Sequence, residues 1–374
     1  MEIIYLAIVL GLLIWIIILL LPSRPYSTQE SLEINSKKSV NLSEVTALIP
    51  ARNEASTIVR SLSALKFHDS KLKIILVDDQ SNDNTIELAN STEIENLKIL
   101  SGSKLPSGWS GKLWALEQGR KHIDTNYLLL LDADIILESG LITKMLFEAK
   151  KNNIKLISLM AHLRMISFWE KLLMPAFIFF FKLLYPFHLS NLPGSRTAAA
   201  AGGCMLIETK ILNELGGFES IRNALIDDCS LAKKVKESGH KTWIGLTLSA
   251  ISIRRYDRLS EIWRMISRTA YTQLNYSILL LFLCAILMII AFVMPYVAIL
   301  QKEPTSIAIG IITLCIQAIC YLPILRYYSI SPIYALSLPL VAMFYLLFTL
   351  SSAYCYYFDK GATWKERHYK NLEK

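Results

Sequence analysis

Three stretches of this chain, Ile3–Leu21, Ser277–Leu300 and Ile307–Leu325, carry no charged residue. Each is long enough to cross the roughly 30 Å of a bilayer's hydrocarbon as a helix. With 53% hydrophobic residues and a mean hydropathy of +0.39, the chain lies above the usual soluble range, so part of it is expected to live in lipid. A fourth uncharged run, Tyr327–Phe358, is too long for one upright helix, and Pro332 and Pro339 inside it suit a re-entrant segment. Ile3–Leu21 has no basic stretch before it and no small-x-small cleavage site after it, which argues for a retained anchor rather than a signal peptide.

Orientation follows from the basic residues beside the spans. Arg24, Lys37 and Lys38 follow the first run, whereas Glu2 alone precedes it. Arg254, Arg255, Arg258, Arg264 and Arg268 crowd the approach to the second. The intervening segment is therefore expected in the cytoplasm, on an integral protein of the plasma membrane. Four full spans would put the basic tail Lys360, Lys365, Arg367 and Lys370 outside, against that rule. The net charge of +8 points to anionic headgroups or a diphosphate rather than nucleic acid, because no basic stripe with interleaved aromatics and no zinc or helix-turn-helix spacing accompanies it. The six cysteines form no C-x-x-C pattern and four of them, Cys284, Cys315, Cys320 and Cys355, lie in apolar runs, so neither disulfides nor zinc are expected.

These patterns divide the chain into an anchor (1–22), a polar linker (23–41), a catalytic domain (42–276), a membrane region (277–358) and a basic tail (359–374). Within the catalytic part, apolar runs at Val45–Ile49, Lys73–Val77, Leu97–Leu100, Tyr127–Leu131 and Ile154–Ala161 read as strands. They alternate with helical spacing at Glu54–Phe67, Asp83–Asn90, Lys112–Ile123 and Ser139–Lys150. That alternation predicts an α/β domain of βαβ units around a mostly parallel sheet, with ligands beyond the carboxyl ends of the strands. Residues 168–189 are apolar but hold Glu170, Lys171, Lys182 and Pro175, and are expected as an interfacial helix whose lysines reach the headgroups.

Polar clusters follow three strands directly. Tyr127–Leu131 ends in Asp132-Ala133-Asp134, and in extended backbone the two acids would face the same way and repel unless a cation lay between them. Oxygen ligands select a hard ion, Mg²⁺ or Mn²⁺, although the same triplet suits a turn whose acids face water. Lys73–Val77 ends in Asp78 and Asp79, with Asp83 placed to cap the next helix. The turn Pro50-Ala51-Arg52-Asn53-Glu54 suits contact with a base and ribose, and Gly108–Lys112 opens a helix where amides and a lysine suit a diphosphate.

Taken in order, Pro-Ala-Arg-Asn-Glu, Val-Asp-Asp-x-Ser-x-Asp-x-Thr, Gly-Trp-x-Gly-Lys, Asp-Ala-Asp and the Asp227-Asp228 pair resemble the family 2 glycosyltransferases of the GT-A fold. A closer resemblance, to the hopene-associated glycosyltransferases, is carried by Gly108–Ala115, Gly202–Ile207, Ile226–Ala232 and Trp263–Ser277. It implies that Asp79, together with Pro50, Arg52, Asn53, Glu54 and Asp78, faces the nucleotide. It also implies that Asp132 and Asp134 bind Mg²⁺ or Mn²⁺ and the donor diphosphate, and that Asp228 is the base. Many members carry Gln-x-x-Arg-Trp before the membrane region; here the register is Met265-Ile266-Ser267-Arg268-Thr269, so only Arg268 matches. Arg268 or Lys112 would then stabilise the leaving group, although Arg264 and Arg268 equally suit membrane anchoring.

The expected activity is inverting transfer from a nucleotide-diphosphate sugar, a UDP-sugar first, to a lipid hydroxyl such as that of a hopanoid or polyisoprenoid. A polysaccharide synthase would share the donor site but make a polymer. A catalytically dead scaffold would be expected to have lost its acids, and all four are present.

Overall fold

A strand buried on both faces needs apolar residues at every position, whereas one wetted on a single face alternates. Apart from Thr46, Lys73 and Asp78, Val45–Ala51 (β1), Lys73–Asp78 (β2) and Tyr127–Leu131 (β4) are of the first kind. In the computed structural model their odd and even side chains enter two separate cores. Val45, Ala47, Ile49, Ile74, Leu76, Leu129 and Leu131 pack on one side, while Leu48, Ile75, Val77, Leu128 and Leu130 meet Leu113 and Leu116 on the other. The structure describes residues 2–34 and 41–358 and the backbone of 363–364 and 367–368. The expectations for Lys37, Lys38, Lys360, Lys365 and Lys370 lie outside the described residues.

The described residues form two compact units, residues 30–34 and 41–164 with 189–255, and residues 2–29 with 165–188 and 256–358. In the first unit, Leu97–Ser101 (β3), Ile135–Leu137 (β5), Leu156–His162 (β6), Cys204–Glu208 (β7) and Thr242–Ser252 (β8) complete an eight-stranded sheet of order β3-β2-β1-β4-β7-β6-β8-β5. The five expected strands are present. The sheet is mixed, however, because β7 runs antiparallel to both β4 and β6, and β5 antiparallel to β8. The expected helices form as Ile58–Lys66, Thr85–Asn90, Gly111–Arg120 and Leu141–Lys151. Part of the stretch expected as linker joins this unit: the Leu246 N–H donates to Glu30 O, and the Leu32 N–H to Leu246 O, beside β8.

In the second unit, among the described residues, four helices are long and apolar enough to cross a membrane: Glu2–Leu20, Ile278–Ile299, Pro304–Tyr327 and Pro332–Phe358. The last begins as a 3-10 turn, Pro332–Ser337, and continues as a 21-residue α-helix. The span Ile278–Ile299 is interrupted by a π-turn at Ile289–Val293. Pro295 lacks the N–H that would bond the carbonyl four residues earlier, so the Ala291 carbonyl is released. In hydrocarbon it needs another donor. Trp15 Nε1 and Gln317 Nε2 both donate to it at 2.9 Å, tying the N-terminal helix to the C-terminal ones. Gly11 permits that approach, since a Cβ there would lie 2.7 Å from Ile290 O.

Phe168–Leu184 also belongs to this second unit. Its first turn is a capping box in which Glu170 N donates to Ser167 Oγ and Ser167 N to Glu170 Oε2. Lys182 does not extend outward as expected: it is fully buried, with its ammonium 3.9 Å from the centre of the Phe187 ring. The aromatic face offers the charge a partner within the unit, which competes with snorkelling.

Candidate active site

The site is built where strands of the first unit end. After β1, Arg52 turns back into the protein and donates to Asp79 O at 2.5 Å and Gln80 O at 2.8 Å. Asn53, at φ +50°, donates its N–H to Ser81 Oγ and accepts from Asn82 N, while Glu54 N donates to Thr85 Oγ1. Arg52, Asn53 and Glu54 thus fasten the β1 tip to the loop after β2. Gln80 sits at φ +56°, so each of these two turns holds one non-glycine residue in the sparsely populated left-handed region. Asp78 accepts from Ser81 N at 3.2 Å, and Asp79 is fully buried. Asp83 is one residue further from its helix than expected: Asn84 holds the cap position, and Asp83 accepts from the Thr85 and Ala55 N–H groups at 3.1 Å.

Ser110 caps the helix Gly111–Arg120, accepting from Leu113 N, and sets Lys112 on its first turn. The Lys112 ammonium lies 2.8 Å from Asp132 Oδ1 and 3.7 Å from Asp227 Oδ2. Asp132 and Asp134 are not on an extended strand. β4 ends at Leu131, and Ile135 N donates to Asp132 O at 3.1 Å, closing a turn that directs the acids to different partners. Asp134 Oδ2 accepts from Arg254 Nε at 2.7 Å, and the same guanidinium donates to Glu54 Oε1 at 2.7 Å.

Asp227 and Asp228 begin the helix Asp227–Glu237, as expected. Asp228 Oδ2 accepts from Gly202 N and Oδ1 from Cys229 N, both at 2.7 Å. A Cβ on Gly202 would stand 3.2 Å from Asp228 Oδ2 and 3.3 Å from Lys112 Nζ, so the backbone passes close to both groups. Pro50, Lys112, Asp132, Gly202 and Asp227 line one recess over an apolar floor that includes Phe218.

Burial is the largest influence on Asp228 and, with the neighbouring Asp227 charge, pushes its carboxyl up to about 7 against the pull of Lys112 and the two N–H groups. Burial and Asp134 likewise raise Asp132, opposed by Lys112. For Lys112, burial favours the neutral amine but is outweighed by Asp132, Asp227 and Asp228, so its pKa rises and it stays charged.

Seven carboxylates (Glu54, Asp78, Asp79, Asp132, Asp134, Asp227, Asp228) stand among three cationic side chains, Arg52, Lys112 and Arg254. A diphosphate entering such an acidic region needs added positive charge. Among the described residues no three His, Cys, Asp or Glu side chains converge to hold a metal ion. Asp132 and Asp134 carry oxygen donors of the kind a hard divalent cation takes, and each is held by a cation of the chain.

Arg268 ends the helix Leu259–Ser267 in the other compact unit. Arg254, counted in the sequence with the membrane-flanking basic residues, is instead bonded to two buried acids. Nothing local in Arg254-Arg255 distinguishes it. Gly202 was visible only as part of the Gly-Gly-Cys motif.

The comparisons agree with this architecture. Residues 46–216 match the family model Glycosyl transferase family 2. A 4,4'-diaponeurosporenoate glycosyltransferase from Staphylococcus haemolyticus is 26% identical over 115 residues, 30% of each chain. A poly-beta-1,6-N-acetyl-D-glucosamine synthase from Staphylococcus aureus is 36% identical over 120 residues, 30% of this chain and 28% of the relative. The chain thus spans under a third of the length of these relatives. A mannosyltransferase from Pyrobaculum calidifontis, solved in complex with GDP-Man and Mn²⁺, aligns over 96% of both chains at a TM-score of 0.56 and 15% identity, a likeness of fold. The chain has a GT-A-like mixed sheet and apolar N- and C-terminal helices that could span a membrane, and its residues 46–216 are similar to glycosyl transferase family 2.

Proposed function

We propose that this protein is a membrane glycosyltransferase that moves a sugar, with inversion, from a nucleotide-diphosphate donor to the hydroxyl of a lipid. The observation that carries the reading is the meeting of donor-side and acceptor-side acids at one cation: Lys112 lies against Asp132 and Asp227, next to the carboxylate of Asp228. In this reading the nucleotide lies along Pro50, the Arg52–Glu54 turn and Asp78–Asp79. Asp132 and Asp134 would hold Mg²⁺ or Mn²⁺, which when bound supplies positive charge to the departing diphosphate. Asp228 takes the proton from the acceptor hydroxyl as that oxygen attacks the anomeric carbon and the bond to the diphosphate oxygen breaks. With its carboxyl near 7, Asp228 is ionised often enough to act and basic enough to accept the proton. Lys112 adds positive charge for the leaving group.

The apolar helices and the resemblance to hopene-associated enzymes favour a hopanoid or other polyisoprenoid acceptor at the cytoplasmic face of the plasma membrane, with a UDP-sugar as the first donor to try. The neighbour bound to GDP-Man makes a GDP-sugar the second. One relative is named for diaponeurosporenoate and another for a polymer, so a polysaccharide synthase is the second reading, and product size separates the two. The test is nucleotide release from labelled donors with extracted lipids, with and without chelator, followed by mass spectrometry of the product. Full activity in Asp134→Ala or Asp228→Asn would overturn the mechanism.

A further inference from the structure

Both acids of the Asp-Ala-Asp turn are held by cations of the chain itself, and the two cations are held differently. Arg254 makes two contacts of 2.7 Å, to Asp134 and Glu54, whose side chains are each 9% exposed. A guanidinium wedged between two buried acids belongs to the scaffold, because moving it would leave both charges uncompensated. Lys112 makes one contact of 2.8 Å to Asp132 and a longer one of 3.7 Å to Asp227, and these acids are 34% and 21% exposed. Its ammonium rides on a flexible four-carbon stem among acids that water reaches more freely than Asp134 or Glu54, so its departure strands less buried charge than that of Arg254.

A divalent cation arriving alone at Asp132 would have to displace Lys112 and then sit beside the displaced ammonium. Protein ligands would not make up for this, since no cluster of three or more metal-binding side chains exists among the described residues. With a diphosphate present, the cation gains phosphate oxygens and the ammonium gains an anionic partner. We propose that Lys112 is the exchangeable counter-ion of the donor site: it neutralises Asp132 and Asp227 when no donor is bound and passes to the diphosphate when the metal enters. Divalent cation and nucleoside diphosphate then bind as a pair, each strengthening the other by the same factor. This rests on the reading of Asp132 and Asp134 as metal-facing acids and adds the regulation of that site.

The experiment measures Mn²⁺ binding to the full-length protein in detergent, from the electron paramagnetic resonance signal of free Mn²⁺, with and without UDP or GDP. For the wild type, either diphosphate should tighten Mn²⁺ binding about tenfold or more. Lys112→Gln should bind Mn²⁺ alone about tenfold more tightly than the wild type and lose most of the response to diphosphate. Lys112→Arg should keep the response. Equal Mn²⁺ affinity with and without diphosphate in the wild type, or an undiminished response in Lys112→Gln, overturns the exchange and leaves the metal reading standing. Absence of Mn²⁺ binding by the wild type under every condition overturns both. Should Lys112→Gln fail to fold, Lys112→Met carries the same test, and a diphosphate response in it equal to that of the wild type overturns the exchange.

Discussion

The amide of Gly202 donates to Asp228 Oδ2 at 2.7 Å, and there is no room at Gly202 for a side chain that would leave both Asp228 and Lys112 where they are. The segment before β7 and the first turn of the helix Asp227–Glu237 are joined by this bond and by the one from Cys229 Sγ to Ala200 O. The Gly202 bond fixes the carboxylate proposed to face the acceptor.

Gly202→Ala should therefore fold normally and turn over slowly. Its methyl group presses on two flexible side-chain ends by a few tenths of an ångström, too little to disturb the core but enough to misplace a base. Turnover should fall about tenfold or more. The melting temperature should stay close to that of the wild type, and steady-state kinetics beside a thermal melt checks both.

Asp228 gives two pH signatures. As a base it must be ionised, so turnover should rise as pH rises through about 7. Its effect on stability has the opposite sign. The folded state holds the proton up to about 7, whereas the ordinary value is 3.8, so its contribution is fully present below about 3.8 and is lost as pH rises through about 7. Asp228→Asn should flatten that part of the stability profile and lower turnover by roughly 10²–10⁴-fold. Denaturant titrations from pH 4 to 8, with rate measurements, separate the two.

Removing the Arg254 guanidinium should cost more than removing any surface charge. Arg254→Met leaves Asp134 and Glu54 buried without their shared cation, a loss of about 3–5 kcal/mol. A fall in melting temperature should accompany loss of nucleotide binding, and Arg254→Lys, which cannot span both acids with a fork, should recover only part of either.

In the second unit, fully buried Glu170 accepts from the backbone N–H groups of Ile166 and Ser167 through Oε2 and from that of Tyr256 through Oε1. Glu170→Ala removes a capping box and leaves buried donors unmet, at about 1–3 kcal/mol. A melt in detergent should show the loss, and Glu170→Gln should show less of it.

Chelation should abolish nucleotide release, and Mn²⁺ or Mg²⁺ should restore it in the wild type but not in Asp134→Ala. Restoration without any divalent ion would sink the metal reading.

The sequence by itself determined whatever depends on local pattern. The charge-free runs specified helices of membrane-crossing length. Largely apolar strands such as Val45–Ala51 specified a sheet covered on both faces, and the order of acidic motifs pointed to the likeness with glycosyl transferase family 2 that residues 46–216 bear. It could not reveal β5, which is three residues long, or the antiparallel course of β7, because pairing direction is chosen by distant partners. The expectation that Asp132 and Asp134 face the same way failed because the strand ends at Leu131, and a turn bond rather than residue spacing aims the two acids. The same holds for charge. Arg254 looked like its neighbour Arg255, and Lys182 like a headgroup anchor, until packing gave each a partner. Which acid meets which cation was decided by the tertiary structure alone, since a carboxylate's partner is set by distance in space, and the chain brings residue 254 to residue 134 only once the sheet has formed.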